Sequence, residues 1–143
     1  MNAQEQIMDF MQQHLGYDDE EMALFKKDPK NLQVLSRSPA LMQKTIVVEI
    51  VESHGCNSQH KVGDKFYFDG AGNLITKLNP KRLCIFALQP LAGMIYGLHE
   101  LFYAGNDNPQ AAFSRAGCFD VGVRCGGWGH VAMEVRMEDR EDK

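Results

Sequence analysis

The residues best suited to chemistry lie in a polar loop, where Cys56 and His60 are separated by three residues. A thiolate and an imidazole at this spacing can converge on one ion, because soft sulfur and borderline nitrogen ligands both suit zinc or iron. Two ligands make only half of a metal site. The sequence therefore predicts a zinc or iron site that is completed by other cysteines.

Two more cysteines can complete this site, and the predicted metal ligands are Cys56, His60, Cys118 and Cys125. Positions seven apart fall on opposite faces of a regular strand, so Cys118 and Cys125 can both bind only if Cys118 precedes the strand or Gly122 forms a bulge. Cys84 could replace one of them, although its apolar surroundings favour a place in the core. The spacing is not that of any standard zinc finger.

Other polar residues are candidates for supporting roles around the ion. Asp64 or Asp120 could orient a ligand or act as a base, and His130 is a reserve ligand. Three protein ligands would leave a position open for water or substrate, whereas four would make a structural site. The choice between a catalytic and a structural role stays open.

Composition restricts the class of protein and the partners it can bind. Four widely spaced cysteines do not make a disulfide scaffold, which favours reduced thiols and a cytoplasmic protein. The amino terminus lacks the positive region and apolar core of a secretory signal. A formal net charge of −4, with scattered basic residues, gives no field that attracts nucleic acid. The longest apolar stretch is interrupted by polar residues and by Pro90, so no membrane partner is expected.

The elements that must position these residues fall into three parts of one predicted domain, residues 1–143. Residues 1–44 carry helix signals alone, in the form of apolar stripes, capping residues and prolines at helix starts. Residues 45–137 hold all of the strand signals and a central apolar helix pair interrupted by Pro90, and residues 138–143 form a charged tail. The predicted fold class is therefore α+β, with a helical N-terminal arm and a small antiparallel sheet packed on a central kinked helix pair.

The last part of the core is predicted to be a hairpin. Apolar residues alternate with other residues on both sides of a glycine-rich turn, which is typical of half-buried strands. The pattern pairs Phe119–Cys125 with Val131–Met137. The side chains expected to face the core are Phe119, Val121, Val123, Val131, Met133 and Val135.

The segment from Val51 to Leu88 resembles a family of small, functionally uncharacterised prokaryotic Cys/His proteins. The resemblance lies in a Cys-x-x-Gly-His-x-x-Gly-Asp segment, a strand and a Cys-x-x-Ala-Leu helix, matched here by Cys56, His60, Gly63, Asp64, Cys84, Ala87 and Leu88. This chain departs from the motif at Gln59, where the family has glycine, and the match covers about a quarter of the chain. It implies that Cys56, His60 and Cys84 form a unit, but it carries no established activity.

Three classes of function are compatible with these residues. The first is a small Cys/His metal-binding protein. The second is a non-catalytic accessory subunit or interaction module, whose amphipathic arm docks on a larger enzyme or on a second copy of the chain. The third is a thiol-dependent enzyme with Cys118 or Cys56 as nucleophile and His60 as base.

Overall fold

The structure is a computed structural model that describes residues 1–141, and its first compact unit is Met1–Pro39. Three helices, α1 (Ala3–Leu15), α2 (Asp19–Lys27) and α3 (Pro29–Leu41), account for this part of the chain. Capping boxes begin α1 and α2, because Asn2 and Asp18 exchange hydrogen bonds with glutamates three residues later. A small core forms around Met8, Met22 and Leu35. The prediction of an N-terminal segment that is helical throughout is confirmed.

The second unit begins at Ala40 and contains a four-stranded antiparallel sheet. Its strands are β1 (Lys44–His54), β2 (Lys65–Asp69), β3 (Arg115–Gly117) and β4 (His130–Asp139), in the order β2-β1-β4-β3. A kinked helix pair, α4 (Ile85–Leu88) and α5 (Leu91–Tyr103), lies between β2 and β3 in the chain. The predicted α+β fold is confirmed. No helix within residues 1–141 has the length and apolar character needed to span a membrane.

The core of this unit is built from alternate residues of the two central strands. Ile46, Val48 and Ile50 of β1 belong to one buried cluster with Val131, Met133 and Val135 of β4. Their period of two places them on one face of the sheet, where the cluster also includes Leu91 and Leu98 of α5. The predicted inward orientation of the β4 residues is therefore confirmed.

The predicted strand Phe119–Cys125 is wrong. The strand that pairs with this part of β4 is β3, with Arg115 opposite Glu134 and Gly117 opposite Ala132. Residues 119–125 form a loop that ends in a 3₁₀ turn, and Phe119, Val121 and Val123 are exposed. The Asp120 carboxylate accepts backbone N–H groups within and beyond this loop, so its hydrogen bonds close a turn in place of a strand ladder.

The carboxyl end of β4 extends into the predicted charged tail. Glu138 pairs with Thr45 and Asp139 with Lys44 at the edge of the ladder. The Lys44 ammonium also binds the Asp139 carboxylate at 2.7 Å. The last part of the predicted tail, residues 142–143, lies outside the described residues.

Candidate functional site

One end of the sheet collects the loops that carry three of the four cysteines. The last residue of β1, His54, pairs with the first residue of β4, His130, and β3 ends nearby at Gly117. The loop after β1 contains Cys56, and the loop between β3 and β4 contains Cys118 and Cys125. Antiparallel pairing thus brings segments about sixty residues apart in the chain to the same edge of the core.

Two glycines allow these loops to touch, backbone against backbone. A Cβ atom on Gly129 would lie 2.0 Å from the carbonyl oxygen of Gly55, and one on Gly55 would lie 2.9 Å from that of Trp128. Gly55 also has a φ of 69°, in the left-handed region that favours glycine. We call this contact the glycine crossing. It fixes the position of Cys56, the residue that follows Gly55.

The glycine before Cys118 has a different role. A Cβ atom on Gly117 would lie 2.7 Å from Cε1 of His130, so the imidazole ring occupies the space that a side chain would need. The glycines that precede Cys56 and Cys118 are therefore explained by close approaches of other parts of the chain. Both approaches involve the segment at the start of β4.

His60 joins the loop after β1 to the start of α4. Its side chain is only 5% exposed and meets the ring of Phe66 edge-on at 5.1 Å. Nε2 accepts a hydrogen bond from the Cys84 backbone N–H at 3.3 Å, which requires this nitrogen to be unprotonated. Burial lowers the pKa of His60, and the negative charge of Asp64 opposes that shift only in part. A neutral imidazole therefore holds the two segments together.

Asp64 closes the turn that follows His60, and its predicted role beside a metal ion or as a base stays a prediction. Its Oδ2 accepts the backbone N–H of Lys61 at 2.9 Å. Upstream in the same loop, Gln59 has a φ of 63°, and both its backbone N–H and its side-chain amide donate to the Cys56 carbonyl. This is the position at which the resembling family has glycine. The departure is accommodated by a left-handed glutamine.

Cys84 is half-buried, precedes the first residue of α4 and packs against the edge of the core. Burial acts to raise the pKa of its thiol. Hydrogen bonds from the Ser58 side chain and from the backbone N–H groups of Ala87 and Phe86 outweigh that effect and hold the pKa below its usual value. Cys84 therefore packs against the core and has a thiol with a lowered pKa.

Cys118 meets a different imidazole from the one expected. Its Sγ accepts the Val131 backbone N–H at 3.3 Å and lies 3.7 Å from Nδ1 of His130. The same Nδ1 contacts the backbone carbonyl of Asp120. Cys118 thus has a contact with His130, the reserve candidate. The pairing of Cys118 with His60 stays a prediction.

Asp120 organises the loop that presents this pair. Its carboxylate accepts the N–H groups of Gly122, Trp128 and Gly129 at 2.9 to 3.0 Å. The N–H groups of Gly129, Gly122 and Trp128 lower the pKa of the Asp120 carboxyl, with burial acting weakly in the opposite direction. Asp120 thus has a structural role, and Cys125 lies exposed in the 3₁₀ turn of the loop that it closes.

The Cys118 segment also contacts the Cys84 segment. The backbone N–H of Phe119 donates to the carbonyl of Phe86 at 3.1 Å, and the two rings lie 6.1 Å apart. Each of these phenylalanines is one or two residues from a cysteine, and both are exposed. Two cysteine-bearing segments therefore lie side by side beneath an exposed pair of aromatic rings.

The predicted four-ligand metal set is not assembled in the part of the chain that the structure describes. Within residues 1–141, no three His, Cys, Asp or Glu side chains converge closely enough to hold a metal ion. Two of the predicted ligand atoms accept hydrogen bonds from the backbone: Nε2 of His60 from the Cys84 N–H, and the Cys118 sulfur from the Val131 N–H. Metal binding stays a prediction.

Comparison with known proteins gives no match, whether to a protein-family model, to a curated protein or to a solved structure.

Proposed function

We propose that the protein is a thiol-dependent enzyme whose nucleophile is the Cys84 thiolate. The observation that carries the proposal is the lowered pKa of the partly exposed Cys84 thiol, which hydrogen bonding from the Ser58 side chain and from the backbone N–H groups of Ala87 and Phe86 favours against the opposing effect of burial. Thiolates, not thiols, are nucleophiles, and donors aimed at sulfur favour the charged form. Cys84 is also partly exposed, so an electrophile can reach it.

The chemistry follows from this arrangement. A lowered pKa raises the fraction of thiolate at a given pH, and that thiolate attacks an electrophilic carbon to form a C–S bond while the bond to the leaving group breaks and the leaving group departs with its electron pair. His60 supports the site indirectly, since its bond to the Cys84 backbone N–H ties the cysteine to the loop that carries Ser58. Ser58 is accordingly a positioning residue for the thiolate.

Alkylation by iodoacetamide as a function of pH tests this function, with each cysteine followed separately by peptide mass spectrometry. Cys84 is expected to react faster at pH 7 than Cys125, an exposed thiol of the same chain that serves as internal reference. Ser58→Ala should move the Cys84 rate profile to higher pH. Ser36→Ala, at an exposed serine of α3, is the matched control and should leave the profile unchanged.

Two results would contradict the thiolate proposal. One is a Cys84 rate no greater than that of Cys125 across the pH range. The other is a Cys84 profile that does not respond to Ser58→Ala in a variant whose circular dichroism spectrum matches that of the parent protein.

A zinc- or iron-binding function, with ligands among Cys56, His60, Cys118 and Cys125, is the second candidate. The observation in its favour is the glycine crossing, which brings the Cys56 loop against the loop that follows Cys118. Elemental analysis of protein purified without added metal tests it, and about one ion per chain is expected for a structural site. A content below a tenth of an ion, unchanged by Cys56→Ser, would dismiss it.

A further inference from the structure

A polar cavity of about 400 Å³ lies beside the glycine crossing, in the loop between β1 and β2. Its lining includes Asn57, His60 and Lys61 of that loop and also Trp128, which comes from the segment before β4. The volume falls within the roughly 300–1,000 Å³ typical of small-molecule sites. Cys84 is not among the described residues that line this cavity, so the cavity is distinct from the thiol site.

His60 presents one ring nitrogen to the cavity. Nε2 accepts the Cys84 N–H and is therefore unprotonated, so the neutral imidazole carries its proton on Nδ1. Within residues 1–141, Nδ1 makes no hydrogen bond, whereas every fully buried side-chain nitrogen or oxygen has a partner. Nδ1 must therefore reach solvent. Because His60 is only 5% exposed and lines this cavity, the N–H group of Nδ1 faces into it.

Contacts on several sides hold this imidazole in place. The Ser53 hydroxyl donates to the His60 carbonyl at 2.6 Å, and the ring meets Phe66 edge-on. The Cys84 N–H fixes the opposite ring nitrogen. A group that is already ordered in the free protein loses little entropy when a ligand binds. Nδ1 of His60 is thus a preorganised hydrogen-bond donor that a ligand acceptor can meet.

Trp128 supplies an aromatic face to the same cavity. The residue is 79% exposed, yet its backbone is held on both sides. Its N–H donates to the Asp120 carboxylate at 3.0 Å, and its carbonyl oxygen lies against Gly55 in the glycine crossing. An exposed indole on a fixed backbone can stack on the flat ring of a ligand.

The charges and hydrogen-bonding groups of the cavity favour an uncharged polar ligand. Among the described residues of the lining, Lys61 alone carries a charge, and the Asp64 carboxylate, which accepts the Lys61 N–H at 2.9 Å, opposes it. The side-chain amide of Asn57 has no partner in the described part of the chain, so its carbonyl and its NH₂ group are both free. An adjacent donor and acceptor match the hydrogen-bonding edge of a heteroaromatic ring.

We propose that this cavity binds a small uncharged heteroaromatic molecule, a nucleobase or its nucleoside. The ring stacks on Trp128, one ring acceptor meets the N–H of His60 Nδ1, and the edge of the ring pairs with Asn57. Aromatic side chains stack on such rings, and asparagine pairs with their edges through two hydrogen bonds. A free nucleoside lacks the phosphate charges of a nucleic acid, so the net charge of −4 does not oppose its binding. The proposal does not depend on the reactivity of Cys84.

Isothermal titration calorimetry of the full chain, in buffer that contains a chelator, tests affinity and ligand class. The probes are adenosine, uridine and their free bases. Methyl glucoside serves as a polar ring without aromatic character, and benzyl alcohol as an aromatic ring without a ring acceptor. At least one base or nucleoside should bind about tenfold or more tightly than both control compounds. Comparison of each nucleoside with its base shows whether the sugar contributes.

NMR of the ring nitrogens in the ¹⁵N-histidine-labelled chain tests the location. In the free protein, His60 should show a protonated Nδ1 and an unprotonated Nε2. Binding of the best probe should shift the Nδ1 signal of His60. The ring nitrogens of His99, whose Nε2 lies 2.7 Å from the Gly70 carbonyl, should not move and serve as the internal control.

Substitution of the aromatic residue makes the test specific to the cavity. Trp128→Leu should weaken binding of the best probe about tenfold, the scale expected for loss of one base-stacking side chain. Phe113→Leu, at an aromatic residue that is 89% exposed and is not listed among the cavity's lining, should alter the affinity less than about twofold. Because both side chains are exposed, the two variants should fold, and circular dichroism verifies this.

Three results would overturn the proposal. They are binding of methyl glucoside or benzyl alcohol as tight as that of the best base or nucleoside, an unchanged His60 Nδ1 signal at saturation, or a loss of affinity in Trp128→Leu no greater than in Phe113→Leu. Absence of binding by all four bases and nucleosides up to millimolar concentration would also reject it.

Discussion

Replacing Gly129 by alanine tests the glycine crossing, on which the position of Cys56 depends. The new Cβ atom would lie 2.0 Å from the Gly55 oxygen and 2.3 Å from its carbonyl carbon, whereas ordinary contacts begin near 3.4 Å. The two backbones must therefore move apart by more than an ångström. No flexible side chain is available to absorb the change, because the atoms on both sides belong to the main chain.

The size of the effect follows from the cost of overpacking. Insertion of one extra methylene or methyl into a filled space destabilises proteins by about 1–3 kcal/mol, and the rigid neighbours here favour the upper end, about 3 kcal/mol. Gly93→Ala in α5 is the matched control, since a Cβ atom there meets nothing within 4 Å. Alanine is better than glycine in a helix by up to about 1 kcal/mol, so the same substitution should stabilise at residue 93.

Urea unfolding measured by far-UV circular dichroism gives the two free energies. The unfolding free energy of Gly129→Ala should lie below that of the parent protein and that of Gly93→Ala above it. The two variants should therefore differ from each other by about 4 kcal/mol. Trp128, the only tryptophan of the chain, precedes Gly129 and reports the local loop by fluorescence. If Gly129→Ala has the same unfolding free energy as the parent protein and unchanged Trp128 fluorescence, the close approach of the two backbones is refuted.

Three further predictions concern single residues of the same unit. Gln59→Gly should raise the free energy of urea unfolding by about 1 kcal/mol. A non-glycine residue in the left-handed region costs roughly 1–2 kcal/mol, and the greater chain entropy of glycine in the unfolded state offsets part of this gain. Gln59→Ala retains the strained φ of 63° and should not raise the unfolding free energy. Val135→Asp should lower the unfolding free energy by several kcal/mol, since Val135 is 2% exposed and its replacement would bury an unpaired charge; a melting temperature within about 2 °C of the parent would show that this face is not buried. His60 has a lowered pKa, so its contribution to stability is complete above its ordinary value of 6.5 and is lost as the pH falls through the native pKa. His60→Gln should flatten this part of the stability profile, whereas His54→Gln, at an exposed residue, should preserve it; equal slopes in the two variants would exclude burial of His60 as the cause.

The sequence pattern predicted an element correctly where the hydrogen bonds of the folded chain favour the same structure as the pattern. Residues 131–137 alternate and form a central strand, because β1 pairs with them along their whole length. Residues 119–125 alternate equally well but form a loop. The difference depends on Asp120, whose three backbone partners lie as far as nine residues away, and a period of two carries no information about them.

The candidate site was predictable in its parts but not in its pairings. Cys56, His60 and Cys118 stood out because they lie in polar or glycine-containing segments, and all three segments reach the same end of the sheet. The contact of Cys118 with His130 is fixed by the register of β4, and the side chain that lowers the pKa of Cys84 belongs to Ser58, 26 residues earlier in the chain. Such contacts depend on strand register and tertiary packing, which spacing along the chain does not specify.

The central pairing of the sheet also determines how this unit can fold. β1 and β4 are neighbours in the sheet, yet the ion pair at their end joins Lys44 and Asp139, 95 residues apart. Closing so long a loop costs conformational entropy before any contact compensates for it, and such non-local topologies fold slowly. On a translating ribosome, β1 and β2 emerge long before β4 is available. Their apolar faces stay exposed to solvent during that interval. We therefore expect this fold to depend on early binding by a chaperone and to aggregate in its absence.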